Sequence, residues 1–266
     1  IRDRFMNITH IRNATSIIEY ADKKFLIDPM LGEKGSFASF PDAPGEELEN
    51  PLVDLPMSLE DIIKDIDAII LTHLHIDHFD EKAQKHLPKD IKVFVQDKND
   101  AEEVKCVGFK DVEILSEYTT FQDIKLIKTP GEHGRGEILE IIGSVCGVIF
   151  DHPKEQRLYI AGDTVWYSEI KNVIKYYEPE VIIVNGGDNQ FYEGSSLIMN
   201  EYDVYKVAKE ASNSKIIVVH MEAVTHWNLS RKRLNQFVNE KGLGDQVLIP
   251  DDGDSYHCLL YTSDAA

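Results

Sequence analysis

Short β-branched runs separated by polar turns set the rhythm of the chain. They fall at residues 17–20, 25–27, 68–71, 92–95, 124–127, 145–150, 158–161, 181–184 and 216–219. Between several of them apolar positions recur at helical spacing, at 81–87, 98–107, 166–177, 202–211 and 231–241. Runs such as Ala68-Ile69-Ile70-Leu71 and Val181-Ile182-Ile183-Val184 are apolar on both faces, the pattern of strands covered on each side by helices or by a second sheet. The order predicts an α/β chain that starts with hairpins and then alternates strand with helix. Residues 31–57 break the rhythm, being rich in Gly, Pro and acids. A run of that length inside a domain reads as a lid or binding loop, or else as disorder or an unrecognised pair of turns. Phe37 and Phe40 near its middle suit contact with an apolar group.

Composition narrows the class. The 266 residues are 42% hydrophobic and 28% charged, an ordinary globular mixture. No repeat or linker divides them, so one domain over 6–257 is expected. Residues 1–5, ahead of Met6, and the stretch from Cys258 to Ala266 read as non-native ends. The 47 acidic against 28 basic residues leave a net charge of −19. Such a surface repels phosphate backbones and anionic headgroups, so a small molecule is the expected partner, with nucleic acid and membrane excluded and a homo-oligomer left open. No run approaches the ~20 apolar residues of a membrane span. The absence of a signal-peptide pattern points to the cytoplasm. Cys106 and Cys146, without C-x-x-C spacing, read as buried reduced thiols.

The chemistry gathers after the buried run at 68–71, in Thr72-His73-Leu74-His75-Ile76-Asp77-His78. Residues two apart on an extended segment point the same way, so His73, His75 and Asp77 can converge while His78 turns in as the helix at 81–87 begins. A single histidine at a strand end is ordinarily structural. Four ligand-type residues in H-x-H-x-D-H order match what zinc and other borderline cations accept.

With this signature the chain resembles the metallo-β-lactamase superfamily, and the resemblance runs from about residue 6 to about residue 257. Further expected elements follow in order: Asp28 in Leu26-Ile27-Asp28-Pro29, His133 in Pro130-Gly131-Glu132-His133-Gly134, Asp163 in Ala161-Gly162-Asp163-Thr164, and His220 in Val218-Val219-His220-Met221. The hairpin ending at Asp28, the ending at Pro250-Asp251-Asp252-Gly253 and the motif spacing are most similar to the branch containing L-ascorbate-6-phosphate lactonase and related metal-dependent hydrolases. The resemblance implies a four-layer αββα sandwich, with two mixed β-sheets face to face and helices outside. It implies two divalent cations, zinc by default with manganese or iron as alternatives. His73, His75 and His133 would hold one, and Asp77, His78 and His220 the other. Asp163 would bridge them, with a hydroxide shared between the ions as nucleophile. Asp163 on its own could equally be a helix cap.

Other positions carry weaker signals. Asp28 is expected to accept from the free N–H of a ligand histidine, or merely to end a strand. His226 is read, alongside Asp77, as catalytic, donating a proton to the leaving group or binding an oxyanion. Its bland alternative is stacking on Trp227. His10 is a weak candidate for the site. His86, His152 and His257 read as surface residues. Arg135 and Arg231 are candidate clamps for a substrate anion, and the loop Asn185-Gly186-Gly187-Asp188 could bring backbone close to a ligand. The leading expectation is therefore a metallo-hydrolase of ester-like bonds, of lactonase or phosphoesterase type. The alternatives are a mononuclear iron dioxygenase on the same fold, an RNA-processing phosphodiesterase, which the charge disfavours, and a non-catalytic metal-binding protein.

Overall fold

The computed structural model describes residues 6–258, and the expected non-native ends at 1–5 and 259–266 lie outside the described residues. The first half runs β1 Met6–Arg12, β2 Thr15–Tyr20, β3 Lys23–Ile27, β4 Phe37–Ala38, β5 Glu49–Asn50, α1 Leu59–Ile63, β6 Ala68–Ile70, α2 Glu81–His86, β7 Lys92–Val95, α3 Lys98–Cys106 and β8 Asp111–Ile114. The second half runs β9 Thr120–Phe121, β10 Ile124–Pro130, a 3-10 turn at Gly136–Glu140, β11 Cys146–Asp151, β12 Leu158–Ile160, α4 Ser168–Tyr177, β13 Val181–Asn185, α5 Glu201–Glu210, β14 Lys215–Val219, α6 Arg231–Glu240, β15 Val247–Leu248 and β16 Ser255–Cys258.

Two seven-stranded sheets result, in the orders β16-β1-β2-β3-β6-β7-β8 and β15-β14-β13-β12-β11-β10-β9. Both are mixed. The first is antiparallel through β16, β1, β2 and β3, then parallel through β6, β7 and β8. The second is antiparallel from β9 to β12 and parallel from β12 to β15. The two-residue period of a strand sorts neighbours into different layers. Ile70 and Ile183 enter the core between the sheets. Ile69, one position away, packs with Ala83 and Val104 of α2 and α3, and Ile182 packs with Ile170 and Val207 of α4 and α5. This alternation, on strands apolar at every position, is what makes the expected αββα sandwich.

The inner core is closed by edge-to-face aromatic pairs, Phe25–Phe150 with centroids 5.0 Å apart and Tyr20–Phe150 at 5.4 Å. The Tyr20 hydroxyl, buried with them, donates to the Phe150 carbonyl at 3.1 Å, which removes the cost of an unpaired buried group. The parallel strands have a second consequence. β3 and β6 end at one rim of the first sheet, and β10, β12, β13 and β14 end together in the second. Asp28, the 72–78 segment, His133, Asp163, Asn185 and His220 all follow or end those strands.

Several expectations are corrected. The elements α1, β8, β9, β15 and β16 carry no clear apolar period because they are short and lie at edges; β8, for instance, is nowhere fully buried. Cys258 pairs with Met6 in β16 rather than standing outside the fold. Residues 31–57 contain the hairpin β4–β5. The root of that segment is pinned by the buried Arg12 guanidinium, which donates to the carbonyls of Met30, Gly32 and Val53. Cys106 is exposed, and only Cys146 of the expected pair is buried. His152 is also buried, with Nε2 3.0 Å from the Asp123 carboxylate. Among the described residues no helix is long and apolar enough to cross a membrane.

Phe150 joins both aromatic pairs without solvent contact, so Phe150→Ala is expected to destabilise the protein by about 3–5 kcal/mol, read from the shift of the denaturant midpoint in chemical unfolding.

Candidate metal centre

Eight side chains from both sheets meet at this rim. The ligand-type atoms of His73, His75 and His133 lie within 4.8 Å of one another, as do those of Asp77, His78 and His220. Between the two triads stands Asp163. Its Oδ2 is 3.3 Å from His133 Nε2 and 3.6 Å from His73 Nε2, while its Oδ1 is 3.5 Å from His220 Nε2. Asp163 does not cap α4, whose N-cap position is Tyr167. Asp28, His73 and His78 also lie within a ligand-sized triangle, but Asp28 is spoken for. Its Oδ2 accepts from His78 Nδ1 at 2.8 Å and from the Thr72 hydroxyl at 2.5 Å, and its Oδ1 accepts from the Thr72 amide.

The far nitrogens of the imidazoles decide whether these residues fit a cation. An N–H given to a backbone carbonyl or carboxylate fixes the tautomer and leaves the other nitrogen as a lone pair. His75 Nε2 donates to the Ile142 carbonyl at 2.9 Å, which leaves Nδ1. His133 Nδ1 donates to the Leu197 carbonyl at 2.8 Å, which leaves Nε2. Asp28 holds His78 in the same sense. His73 Nε2 is buried with no hydrogen-bond partner, an expensive state unless a cation completes it. Asp28, Asp77 and Asp163 are each less than 5% exposed, and three carboxyl groups so close are not tolerated without positive charge. The donor set of nitrogens and oxygens fits divalent cations.

The electrostatics agree. Burial would raise Asp77 and Asp163, but His78 and His220 beside them outweigh it and hold both carboxyls well below their usual range. Burial lowers His73 and His133. For His78 burial acts the same way, yet Asp163, Asp77 and Asp28 overcome it and hold the imidazolium well above its ordinary range.

The backbone shows how tightly the rim is drawn. His220, Asp28 and Asn13 take φ of +61°, +42° and +53°, a costly region for residues with a Cβ. A Cβ on Gly187 would stand 2.2 Å from the His220 carbonyl, so only glycine lets that loop reach the strand end.

Residues outside the motif complete the arrangement. Asn13 donates to Asp77 Oδ2 at 3.2 Å and to its carbonyl at 3.1 Å, while its own carbonyl accepts from the His220 amide. Asn185 donates to Asp163 Oδ1 at 2.6 Å. Nothing in the sequence marks Asn13 beyond a turn asparagine; Asn185 opened the loop already singled out, though by side chain rather than backbone. Other expectations fall away. His10 pairs with Asp252 at 3.2 Å. Arg231 binds Glu222 and Asp252, and Arg135 binds both oxygens of Asp203, so neither is free to clamp an anion.

A cavity of about 340 Å³ opens onto the cluster. Its walls include Phe40, Ile76, Ile138, Phe191 and Leu197, and no Lys or Arg lines it. His226 is in the wall, packed on Phe40 at a centroid distance of 4.3 Å and stacked against Phe191 at 6.1 Å, rather than on Trp227.

Comparison with known proteins agrees with this geometry. Residues 23–221 match the model of a β-lactamase superfamily domain. The UPF0173 protein YddR of Bacillus subtilis is 57% identical over 252 residues, spanning 94% of this chain and 99% of that one. Two solved structures are similar throughout. The isothiocyanate hydrolase from Delia radicum gut bacteria has a TM-score of 0.91 at 37% identity, over 95% of this chain and 100% of that one. A possible metal-dependent hydrolase from Veillonella parvula has a TM-score of 0.92 at 35% identity, over 95% and 99%.

Because Asp28 fixes His78 without being needed as a ligand, Asp28→Ala is expected to weaken metal binding roughly 10–100-fold while the far-ultraviolet circular dichroism is retained. Competition with a chromogenic chelator measures the first, and an unchanged affinity would make Asp28 a strand terminator only.

Proposed function

Since the chain belongs to the metallo-β-lactamase superfamily and is a metal-dependent hydrolase, we propose that it hydrolyses a small uncharged electrophile, an isothiocyanate before a lactone. The observation that carries this reading is the cavity, apolar and without a cation, directly over the ligand cluster. A phosphate ester calls for Arg or Lys donors, and both candidate arginines are committed elsewhere. The 37% identity to an isothiocyanate hydrolase supports the same substrate class.

In this reading His73, His75 and His133 would hold one cation and Asp77, His78 and His220 a second, with Asp163 beside both triads, and zinc is the metal suited to such nitrogen-rich sites. The ions would supply an activated water and polarise the substrate. The chain's own residues do the rest. Asn13 and Asn185 hold the Asp77 and Asp163 carboxyls in place. The apolar walls exclude bulk water and orient the substrate. In the reaction the oxygen of water joins the central carbon of R–N=C=S, both protons pass to nitrogen and the C–N bond breaks, giving R–NH2 and carbonyl sulfide. His226 meets the charge that develops. Burial lowers it to about 4, so at neutral pH it is an uncharged imidazole that donates one N–H rather than a cationic acid.

Turnover of benzyl isothiocyanate, a γ-lactone and a phosphodiester with zinc or manganese added separately tests the proposal. Amine and carbonyl sulfide released in equal amounts, from protein carrying two ions per chain, is the expected result. Phosphodiester cleavage alone, or one iron per chain with oxygen uptake, overturns it. Asp163→Ala is expected to abolish turnover.

For His226, replacement by Phe should lower kcat by roughly 100-fold or more, with Gln, which keeps an N–H donor, recovering part of the loss. The pH profile of kcat should show no step near the ordinary histidine range that disappears in His226→Gln. Such a step would assign His226 a cationic role.

A further inference from the structure

The metal-facing cavity does not end at its apolar walls. A second cavity, of about 680 Å³, adjoins it, and Ile138, Ile141 and Phe191 line both. The outer one adds Pro41, Tyr192, Asp42 and Glu193. Ile141 and Tyr192 are 80% and 64% exposed, so two large side chains of the outer lining stand largely in solvent. The walls are built rather than loose. The Tyr192 amide donates to the Asp42 carbonyl at 2.7 Å, tying two lips together, and the amides of Ile141 and Ile142 return to the Ile138 carbonyl at 3.1 and 2.9 Å.

We propose that this outer cavity is a subsite for an extended alkyl or arylalkyl arm of the substrate, uncharged or cationic at its end. The inference rests on the reading of the inner cavity as the reaction chamber. An inner volume of about 340 Å³ lies at the low end of small-ligand sites, so a substrate with a long arm must run outward past Ile138 and Phe191. Along that path it meets apolar side chains whose exposure falls when the arm is bound. In the outer cavity Asp42 and Glu193 stand without a basic residue among the lining groups, and with the net charge of −19 they repel an anionic terminus.

The test uses the full-length, metal-loaded protein and N-alkylformamides from ethyl to octyl, which the chain does not need to turn over. Dissociation constants come from protein-observed NMR. Wild type should bind roughly threefold tighter per added methylene, continuing beyond the length that fills the inner chamber. Ile141→Asp and Tyr192→Asp, on separate walls, should each flatten the long end of the series. Tyr118→Asp, at a tyrosine that lines neither cavity, should keep the wild-type slope. An ω-carboxylate should bind roughly fivefold more weakly than its methyl ester at low salt, with the gap closing at high salt. A wild-type slope that stops at short chains, or one unaffected in both wall variants, overturns the subsite. So does a flat slope with a dimer in sedimentation that Ile141→Asp dissociates, which makes the surface an interface between two copies. Because the formamides report binding alone, a persistent slope in a protein inert to isothiocyanates keeps the subsite and removes the reaction proposed above. Turnover with a flat slope does the reverse.

Discussion

Three carboxyl groups buried within reach of five imidazoles are the constraint on which this molecule turns. In a low-dielectric interior such a group of acids repels itself. A bound metal ion would resolve the conflict, and His73, His75 and His133, like Asp77, His78 and His220, lie close enough together to hold one. Asp77 and Asp163 remain ionised against the penalty of burial because His78 and His220 lie beside them. The centre is therefore stored charge complementarity, held open by a fold stable enough to bear it.

That fold supplies its stability elsewhere. The inter-sheet core, with Phe25, Phe94 and Phe150 meeting edge to face around Tyr20 and Phe121, lets the rim accept backbone that costs energy. Left-handed conformations at Asn13, Asp28 and His220 and the close passage of Gly187 lie at strand ends, where no ladder bond has to be broken to hold them. The apolar body and the strained polar rim are two faces of one arrangement.

The same economy links ligand and substrate surfaces. Ile142 gives its carbonyl to His75 while its side chain lines the cavity, and Leu197 does likewise for His133. Two histidines are oriented by the very segments that shape the chamber. Cavity-lining loops and candidate metal ligands therefore cannot shift independently of one another.

The sandwich and the metal motif were legible along the chain because both are local signals. Two-sided apolar runs announce covered strands, and H-x-H-x-D-H gathers four ligand-type residues within six positions directly after one of them. Short edge strands such as β8 and β16 were not legible, since an element half in solvent needs no apolar period. Nor were Asn13 and Asn185 or the carbonyls of Ile142 and Leu197, whose roles arise only where distant segments meet. The sequence offered Arg135 and Arg231 as candidate anion clamps, and only the folded chain supplies the carboxylates that engage them. Composition and motif determined by themselves that this protein would gather a cation-binding centre at the ends of covered strands. What that centre faces, a cavity with apolar walls and no Lys or Arg in its lining, was decided by tertiary structure, because charge pairing and cavity walls belong to residues far apart in the chain and are invisible until it closes.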